Sequence, residues 1–127
     1  IGFLPIIFYL GAIFWTLGYD TIYGYQDIKD DEIIGVKSTS IKFKKNPKLF
    51  ISLCYLAFIL CLTLIGYKMM FNSIYFFGII VIFLHLAIYQ IKFLNIEIPM
   101  SCLNKFKSNN FLGFLVFLNI LIGKIIP

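Results

Sequence analysis

Uncharged stretches divide the chain into four runs, at residues 1–19, 49–67, 69–91 and 108–123. The middle two are long enough to cross a hydrocarbon core of roughly 30 Å as helices, whereas the last is marginal in length. The strict alternation of apolar and polar residues that marks membrane strands is absent from these runs. The pattern therefore predicts an all-α fold, an integral membrane bundle of about four transmembrane helices without a sheet.

Composition supports a membrane protein and excludes several other classes. The chain is 61% hydrophobic and only 13% charged, whereas charged residues make up about 25% of a typical soluble domain. The net charge of +5 comes from lysines that flank the spans, so no nucleic acid partner is predicted, and membrane lipid is the expected contact. Cys54, Cys61 and Cys102 lack C-x-x-C spacing, which leaves neither a zinc site nor a disulfide framework as the favoured interpretation.

The lysines indicate an orientation in the membrane. Most lie between the first two runs or between the last two, and only Lys68 stands near the turn between the middle runs. Because lysine-rich loops tend to stay in the cytoplasm, the first and third loops are predicted to be cytoplasmic. The chain starts at Ile1 inside an apolar run, without an initiator Met or a basic leader, which favours the back part of a longer protein.

Acidic residues are concentrated directly after the first run. Five of the six in the chain lie there: Asp20, Asp27, Asp30, Asp31 and Glu32. On one continuous helix, Asp20, Asp27 and Asp31 would fall within about 40° of each other, and Asp30 about 80° away. Asp27 and Asp31 would be roughly 6 Å apart, and carboxylates at this spacing suit magnesium. Asp20, so close to the apolar run, is costly unless it faces a wet or protein interior. This pattern favours a cation site over acids that merely solvate a helix end.

Two segments carry a resemblance to a known family. DTIYGYQDIKDDEIIGVKSTS, residues 20–40, resembles the second aspartate-rich motif of the 4-hydroxybenzoate polyprenyltransferases, a branch of the UbiA superfamily of intramembrane prenyltransferases. Residues 84–117 are similar to the closing segment of that family, with a His-x-x-x-x-Gln helix and a Phe-x-Ser-Asn string before the last helix. The resemblance implies a bundle of nine transmembrane helices, of which residues 1–127 supply the last four as the C-terminal part of a single prenyltransferase domain. The first aspartate-rich motif is absent from these residues, so this piece alone is expected to be inactive.

The resemblance also implies roles for individual residues. Asp20, Asp27, Asp31 and Tyr23 are expected in the catalytic site, with Asp27 and Asp31 binding magnesium and Asp30 as a further metal candidate. Tyr23, three residues after Asp20, is the aromatic residue best placed to face an allylic cation. The substrates would be polyprenyl diphosphate and 4-hydroxybenzoate, in ubiquinone biosynthesis.

Other residues of the two segments leave alternatives open. Lys37 either binds diphosphate or is an orientation lysine. Ser38 and Thr39 either donate hydrogen bonds to phosphate or cap the following segment, and capping is the preferred interpretation. His85 is interpreted as a buried, hydrogen-bonded structural residue. Gln90, Glu97 and Asn110 resemble family positions near the second cytoplasmic loop, where Glu97 stands alone beside Pro99 and loop structure is the default interpretation.

Alternative functions follow from the same residues. A related prenyltransferase with another acceptor would keep the aspartates, and a membrane cation carrier would use Asp20 as its ion site. A third hypothesis is a non-catalytic membrane piece that is stable only with partner helices. The enzyme hypothesis predicts a bacterial inner membrane location with a cytoplasmic active site, or the mitochondrial inner membrane in a eukaryote.

Overall fold

A computed structural model describes residues 3–125, so Ile1, on which the expectation about the start of the chain rested, lies outside the described residues. Residues 3–125 contain helices and no strand. Four stretches are long and apolar enough to cross a membrane: Phe3–Ile34, Pro47–Lys68, Ser73–Lys92 and Pro99–Ile125. The prediction of an all-α bundle with four spans is therefore confirmed.

Eight helical elements make up these stretches. They are α1 (Phe3–Gly24), a 3₁₀ turn (Tyr25–Asp27), α2 (Ile28–Ile34), α3 (Thr39–Lys42), α4 (Pro47–Lys68), α5 (Ser73–Leu84), a π-helical segment (His85–Lys92) and α6 (Pro99–Ile125). The sequence supplies several of the boundaries. Pro47 occupies the first turn of α4, where its missing N–H costs nothing, and the Asn72 side chain caps α5 by accepting from the Tyr75 N–H at 3.0 Å. Gly35 ends α2 with φ 80°, a left-handed conformation that glycine adopts easily.

Glycines let large side chains sit between helices. The backbone at Gly18 of α1 contacts the ring of Tyr55 on α4, and that at Gly78 of α5 contacts the amide of Asn119 on α6. Small residues permit this close approach of helices in membrane bundles. Van der Waals packing matters there because lipid tails are as apolar as the side chains, so the hydrophobic effect contributes little to helix association. Each contact thus fixes how far apart two neighbouring helices lie.

Gly18→Ala is expected to destabilise the bundle, because the added methyl group would overlap the buried Tyr55 ring. We expect a loss of about 1–3 kcal/mol in the free energy of unfolding, measured by thermal unfolding in detergent. Gly113→Ala is the matched control, since its methyl group would meet only the outer edge of Trp15, at 3.2 Å. An equal loss of stability in both variants would contradict this account of the α1–α4 contact.

The last helix differs from the prediction based on charge. The fourth span was expected at residues 108–123 and the Phe-x-Ser-Asn string before it, but α6 already begins at Pro99 and contains Phe106–Asn109. Lys105 lies within this helix, and its Nζ is 4.2 Å from the centre of the Tyr89 ring. A lysine with a long apolar stem and an aromatic partner is compatible with a helix near a membrane end. Lys105 and Lys107 therefore limit the uncharged run, but they do not mark the start of the helix.

Candidate functional site

A cavity of about 370 Å³ lies at one end of the bundle, where the α1–α2 junction meets the loop before α6. Residues from both regions and from the loop after α3 line it: Tyr25, Gln26, Asp27, Ile28, Lys29, Asp30, Lys44, Ile96, Glu97 and Pro99. The Lys48 Nζ, at the start of α4, also donates to the carbonyl of Lys92, at the end of the π-helical segment, at 3.2 Å. The two lysine-rich loops thus lie at the same end of the bundle.

The backbone changes its winding within the acidic segment. The α1 helix ends at Gly24, a 3₁₀ turn covers Tyr25–Asp27, and Asp27 has φ −117° and ψ 20°, outside the helical region. The assumption of one continuous α-helix through Asp20, Asp27 and Asp31 is therefore wrong, and the angles calculated from it do not apply to these three carboxylates. A 3₁₀ turn winds more tightly than an α-helix, so it rotates α2 relative to α1.

This rotation changes which acids share a surface. Asp27 and Asp30 line the cavity together, although the continuous-helix geometry had separated Asp30 from the others. Asp31 is not among the lining residues; it is half-buried in the middle of α2, and its carbonyl accepts from the Val36 N–H at 2.9 Å. Asp20 is exposed on α1 and does not line the cavity either.

Tyr23 and Lys37 lie apart from these acids. The Tyr23 ring packs on α6, with its centre 4.5 Å from that of Phe106, and 46% of the residue is exposed. Lys37 lines a separate, shallower cavity together with Thr39 and Lys42. The structure therefore brings Asp27 and Asp30 together and leaves Asp20, Tyr23 and Lys37 outside the cavity that those two acids line.

The cavity contains the type of oxygen ligand that magnesium prefers. No group of three His, Cys, Asp or Glu side chains in the part of the chain that the structure describes is close enough to hold a metal by itself. Magnesium usually takes one or two carboxylates and completes its octahedron with water and substrate phosphate. The carboxylates of Asp27 and Asp30 are hard oxygen donors on one wall, so these residues fit a magnesium that is shared with a phosphorylated ligand.

Glu97 and two lysines belong to the cavity but were not predicted there. Glu97 is expected to be an isolated loop residue, yet it lines the same cavity as the acidic segment. Lys29 and Lys44 also line the cavity and contribute positive charge to it, and the Lys44 Nζ is 2.8 Å from Glu32 Oε1. The signal that could have found Glu97 was the lysine pattern, which already placed the first and third loops on one side.

Hydroxyl groups of the GVKSTS string dock α3 onto α1. The hydroxyls of Thr21 and Thr39 are 2.6 Å apart, and the Ser40 hydroxyl donates to the Thr21 carbonyl at 2.7 Å. Gly24 leaves room for the Ser40 side chain. The Ser38 hydroxyl accepts from the Ile41 N–H at 3.3 Å, which confirms the predicted cap. The segment between residues 20 and 40 is thus folded back on itself, and this fold holds the following loop beside the cavity.

A buried polar cluster connects all four spans. It consists of Trp15, Tyr55, His85, Gln90, Ser108 and Asn109. The Gln90 side chain is fully buried; its Oε1 accepts from the Tyr55 hydroxyl, and its Nε2 donates to Asn109 Oδ1 at 3.0 Å and to Ser108 Oγ at 3.2 Å. The Trp15 Nε1–H donates to the same Asn109 Oδ1 at 2.9 Å. This cluster gives the bundle a polar contact to which every span contributes.

Two residues of the cluster bear on the predictions. His85 Nε2 lies 3.3 Å from Ser108 Oγ in a half-buried position, which agrees with a structural histidine. Gln90 is helical, as the His-x-x-x-x-Gln string implies, but the helix there is the π-helical segment, and Gln90 is 0% exposed, so the default of loop structure does not apply to it. Asn110 is also helical, on an exposed face of α6.

Comparison with known proteins identifies relatives over almost the whole chain. The mitochondrial 4-hydroxybenzoate polyprenyltransferase of Homo sapiens is 40% identical over 122 residues, covering 96% of this chain and 32% of the human protein. That of Aedes aegypti is 42% identical over 94% of this chain and 26% of its own length. The 4-hydroxybenzoate octaprenyltransferase of Psychromonas ingrahamii is 38% identical over 93% of this chain and 40% of its own length. The chain therefore spans about a third of the length of these relatives.

No solved structure matches the chain. The model of the UbiA prenyltransferase family, in contrast, matches residues 1–121. The two segments that carry the sequence resemblance, residues 20–40 and 84–117, both fall within that range, and both contribute to the helices described above. The chain is an integral membrane protein and belongs to the UbiA prenyltransferase family.

Proposed function

We propose that this chain carries part of the active site of a membrane prenyltransferase. The enzyme would move a polyprenyl group from polyprenyl diphosphate onto 4-hydroxybenzoate, at the ring carbon ortho to the hydroxyl, as a step towards ubiquinone. The observation that carries the proposal is the cavity in which Asp27 and Asp30 meet Glu97 and two lysines, because carboxylates and ammonium groups together suit a metal-bound diphosphate. The names of the relatives support the choice of acceptor.

The acidic residues have the chemistry to hold the metal. Asp27 would hold magnesium together with Asp31, which the resemblance assigns to the metal, or with Asp30, which lines the cavity beside it. The ion would supply Lewis-acid neutralisation of the diphosphate leaving group. Lys29 and Lys44, from the cavity wall, would bind phosphate oxygens through charge and hydrogen bonds. Lys37 remains a further candidate for the same role, on the segment that leads from α2 to α3.

Transfer requires an allylic C–O bond to break and a C–C bond to form. Diphosphate leaves with the electron pair of the C–O bond, and the electron-rich ring carbon of 4-hydroxybenzoate then attacks the prenyl cation. The proton on that carbon is lost afterwards, which restores the aromatic ring. Tyr23 offers an aromatic face that stabilises a nearby cation without reacting, and Asp20, one turn earlier on α1, adds negative charge near the same face.

The test is prenyl transfer in membranes that contain the protein expressed from its complete gene. Polyprenyl diphosphate and labelled 4-hydroxybenzoate are supplied with magnesium or with a chelator. We expect a prenylated, labelled product that depends on magnesium. If a naphthoate is prenylated and 4-hydroxybenzoate is not, the proposed acceptor is wrong and a naphthoate takes its place. If folded protein forms no product, and if it takes up a divalent cation in a way that Asp20→Asn abolishes, the cation-carrier hypothesis would replace the enzyme hypothesis.

A further inference from the structure

An apolar groove of about 230 Å³ lies between α4 and the third span, Ser73–Lys92, and shares no lining residue with the cavity of the acidic segment. Apart from the hydroxyls of Ser52 and Tyr55, its lining side chains are hydrocarbon. Leu56 and Phe83, one on each side, are 49% and 44% exposed, so the groove opens at the surface of the bundle. A groove of this kind suits an apolar chain taken up from the bilayer.

The groove runs along the two helices and not across them. On α4, Ser52, Leu56 and Ile59 are four and three residues apart, so they form one stripe about 10 Å long. On the third span, the lining extends from Phe83 through Ala87 to Ile91. The small side chains of Ser52 and Ala87 leave space that larger ones would fill. The groove is therefore elongated along the span, in the direction in which an acyl chain lies in a bilayer.

Two lysines lie beyond one end of the groove. Lys48 is in the first turn of α4, four residues before Ser52, and Lys92 follows Ile91 and ends the third span. The Lys48 Nζ donates to the Lys92 carbonyl at 3.2 Å, so the two residues are neighbours. Among residues 3–125, neither ammonium group forms a salt bridge, and no Asp or Glu occurs between residues 33 and 96. Two positive charges without an acidic partner thus lie where an apolar groove ends.

We propose that this groove binds an anionic phospholipid of the surrounding bilayer, with an acyl chain between α4 and the third span and the phosphate beside Lys48 and Lys92. The ends of two spans lie at the level of the lipid headgroups, and basic sites between spans are typical binding sites for anionic headgroups. A magnesium-bound diphosphate fits less well, because neither helix carries a carboxylate for the metal. The site is independent of the proposed function, and a lipid there would hold the start of α4 to the end of the third span.

Thermal unfolding of the protein expressed from its complete gene, in mild detergent titrated with phosphatidylglycerol or phosphatidylcholine, tests the proposal. We expect anionic phosphatidylglycerol to raise the Tm and phosphatidylcholine, which has no net charge, to have little effect. In the double variant Lys48→Gln/Lys92→Gln, the phosphatidylglycerol concentration for half the shift should rise about tenfold, because two lysines that attract the headgroup are lost. Both lysines are exposed, so the variant should fold like the parent. Lys68→Gln, at the opposite end of α4, is the matched control and should titrate like the parent.

Ala87→Phe tests the groove itself. The larger side chain would fill the space between the two helices, so phosphatidylglycerol should no longer raise the Tm, while the Tm without lipid stays at or above that of the parent. The proposal is overturned if either variant responds to phosphatidylglycerol like the parent, or if phosphatidylcholine stabilises the parent equally well. It is also overturned if neither lipid stabilises the parent and Ala87→Phe lowers the Tm, since another segment of the polypeptide would then occupy the groove. Displacement of bound phosphatidylglycerol by polyprenyl diphosphate without magnesium would overturn it in favour of the prenyl donor.

Discussion

Asp27→Ala is expected to abolish prenyl transfer, with a loss of at least about 10³-fold in turnover. Asp27 lines the cavity and ends the 3₁₀ turn directly before α2, where its side chain makes no capping hydrogen bond, so its removal takes a carboxylate from the wall without taking a hydrogen bond from the helix. If magnesium neutralises the leaving diphosphate, the loss of one of its few protein ligands cannot be offset by more metal. Membrane insertion should be unchanged, because Asp27 is exposed. Turnover of labelled 4-hydroxybenzoate at low and high magnesium measures the effect.

Asp31→Ala tests the second predicted ligand independently. The resemblance assigns Asp31 to the metal, whereas the cavity is lined by Asp30. Glu32→Gln is the control for both: it removes a neighbouring charge whose partner is the exposed Lys44, and such surface pairs contribute at most about 1 kcal/mol. Near-normal turnover of Asp31→Ala beside an inactive Asp30→Ala would transfer the metal role to Asp30. Near-normal turnover of Asp27→Ala would remove the metal assignment altogether.

Gln90→Leu should give the largest loss of stability in the bundle, about 2–4 kcal/mol. Gln90 makes hydrogen bonds to side chains on two other helices, and interhelical hydrogen bonds in membranes contribute roughly 1 kcal/mol each. Leucine also leaves the buried Tyr55 hydroxyl without an acceptor, which adds the cost of an unpaired polar group. Unfolding by a denaturing detergent, titrated into mild micelles, measures the difference.

Gln26→Leu is the control for the stability effect. The Gln26 side chain donates only to the Tyr23 carbonyl of its own turn, at 3.1 Å, so the change should stay within about 0.5 kcal/mol. Because Tyr55 and Gln90 share one hydrogen bond, Tyr55→Phe combined with Gln90→Leu should cost less than the sum of the single changes. Additive losses would show that the cluster does not act as a unit.

Much of the fold could be read from the chain because lipid imposes a simple pattern. Long uncharged runs gave the number and rough position of the spans, since a charged residue in the hydrocarbon core is costly. The ends of the helices were less predictable. Asp20 lies within α1 and Lys105 within α6, because a helix can continue past the hydrocarbon core once its charged residues reach water or an aromatic partner.

The candidate site was predictable only in its local part. Residue type and spacing pointed to the acids around Asp27, and that residue does line the cavity. The cavity is lined by Asp30 and not by Asp31, and this follows from a 3₁₀ turn that no residue of the segment predicts. The position of Glu97 in the cavity wall depends on contacts between elements that are far apart in sequence. A single carboxylate beside a proline has no neighbours in sequence that would predict these contacts.

The π-helical segment changes the direction in which side chains point along one span. In an α-helix, at about 100° per residue, His85 and Gln90 would point some 140° apart, yet both reach Ser108. The wider i→i+5 winding of His85–Lys92 brings them to nearly the same side. The first half of the span can therefore present Gly78 to Asn119, while the second half is aligned independently with Ser108 and Asn109 in the first half of α6. A single-residue deletion inside this segment would restore ordinary winding and swing Gln90 away from its partners, so its length should tolerate change far less than that of the loops on either side.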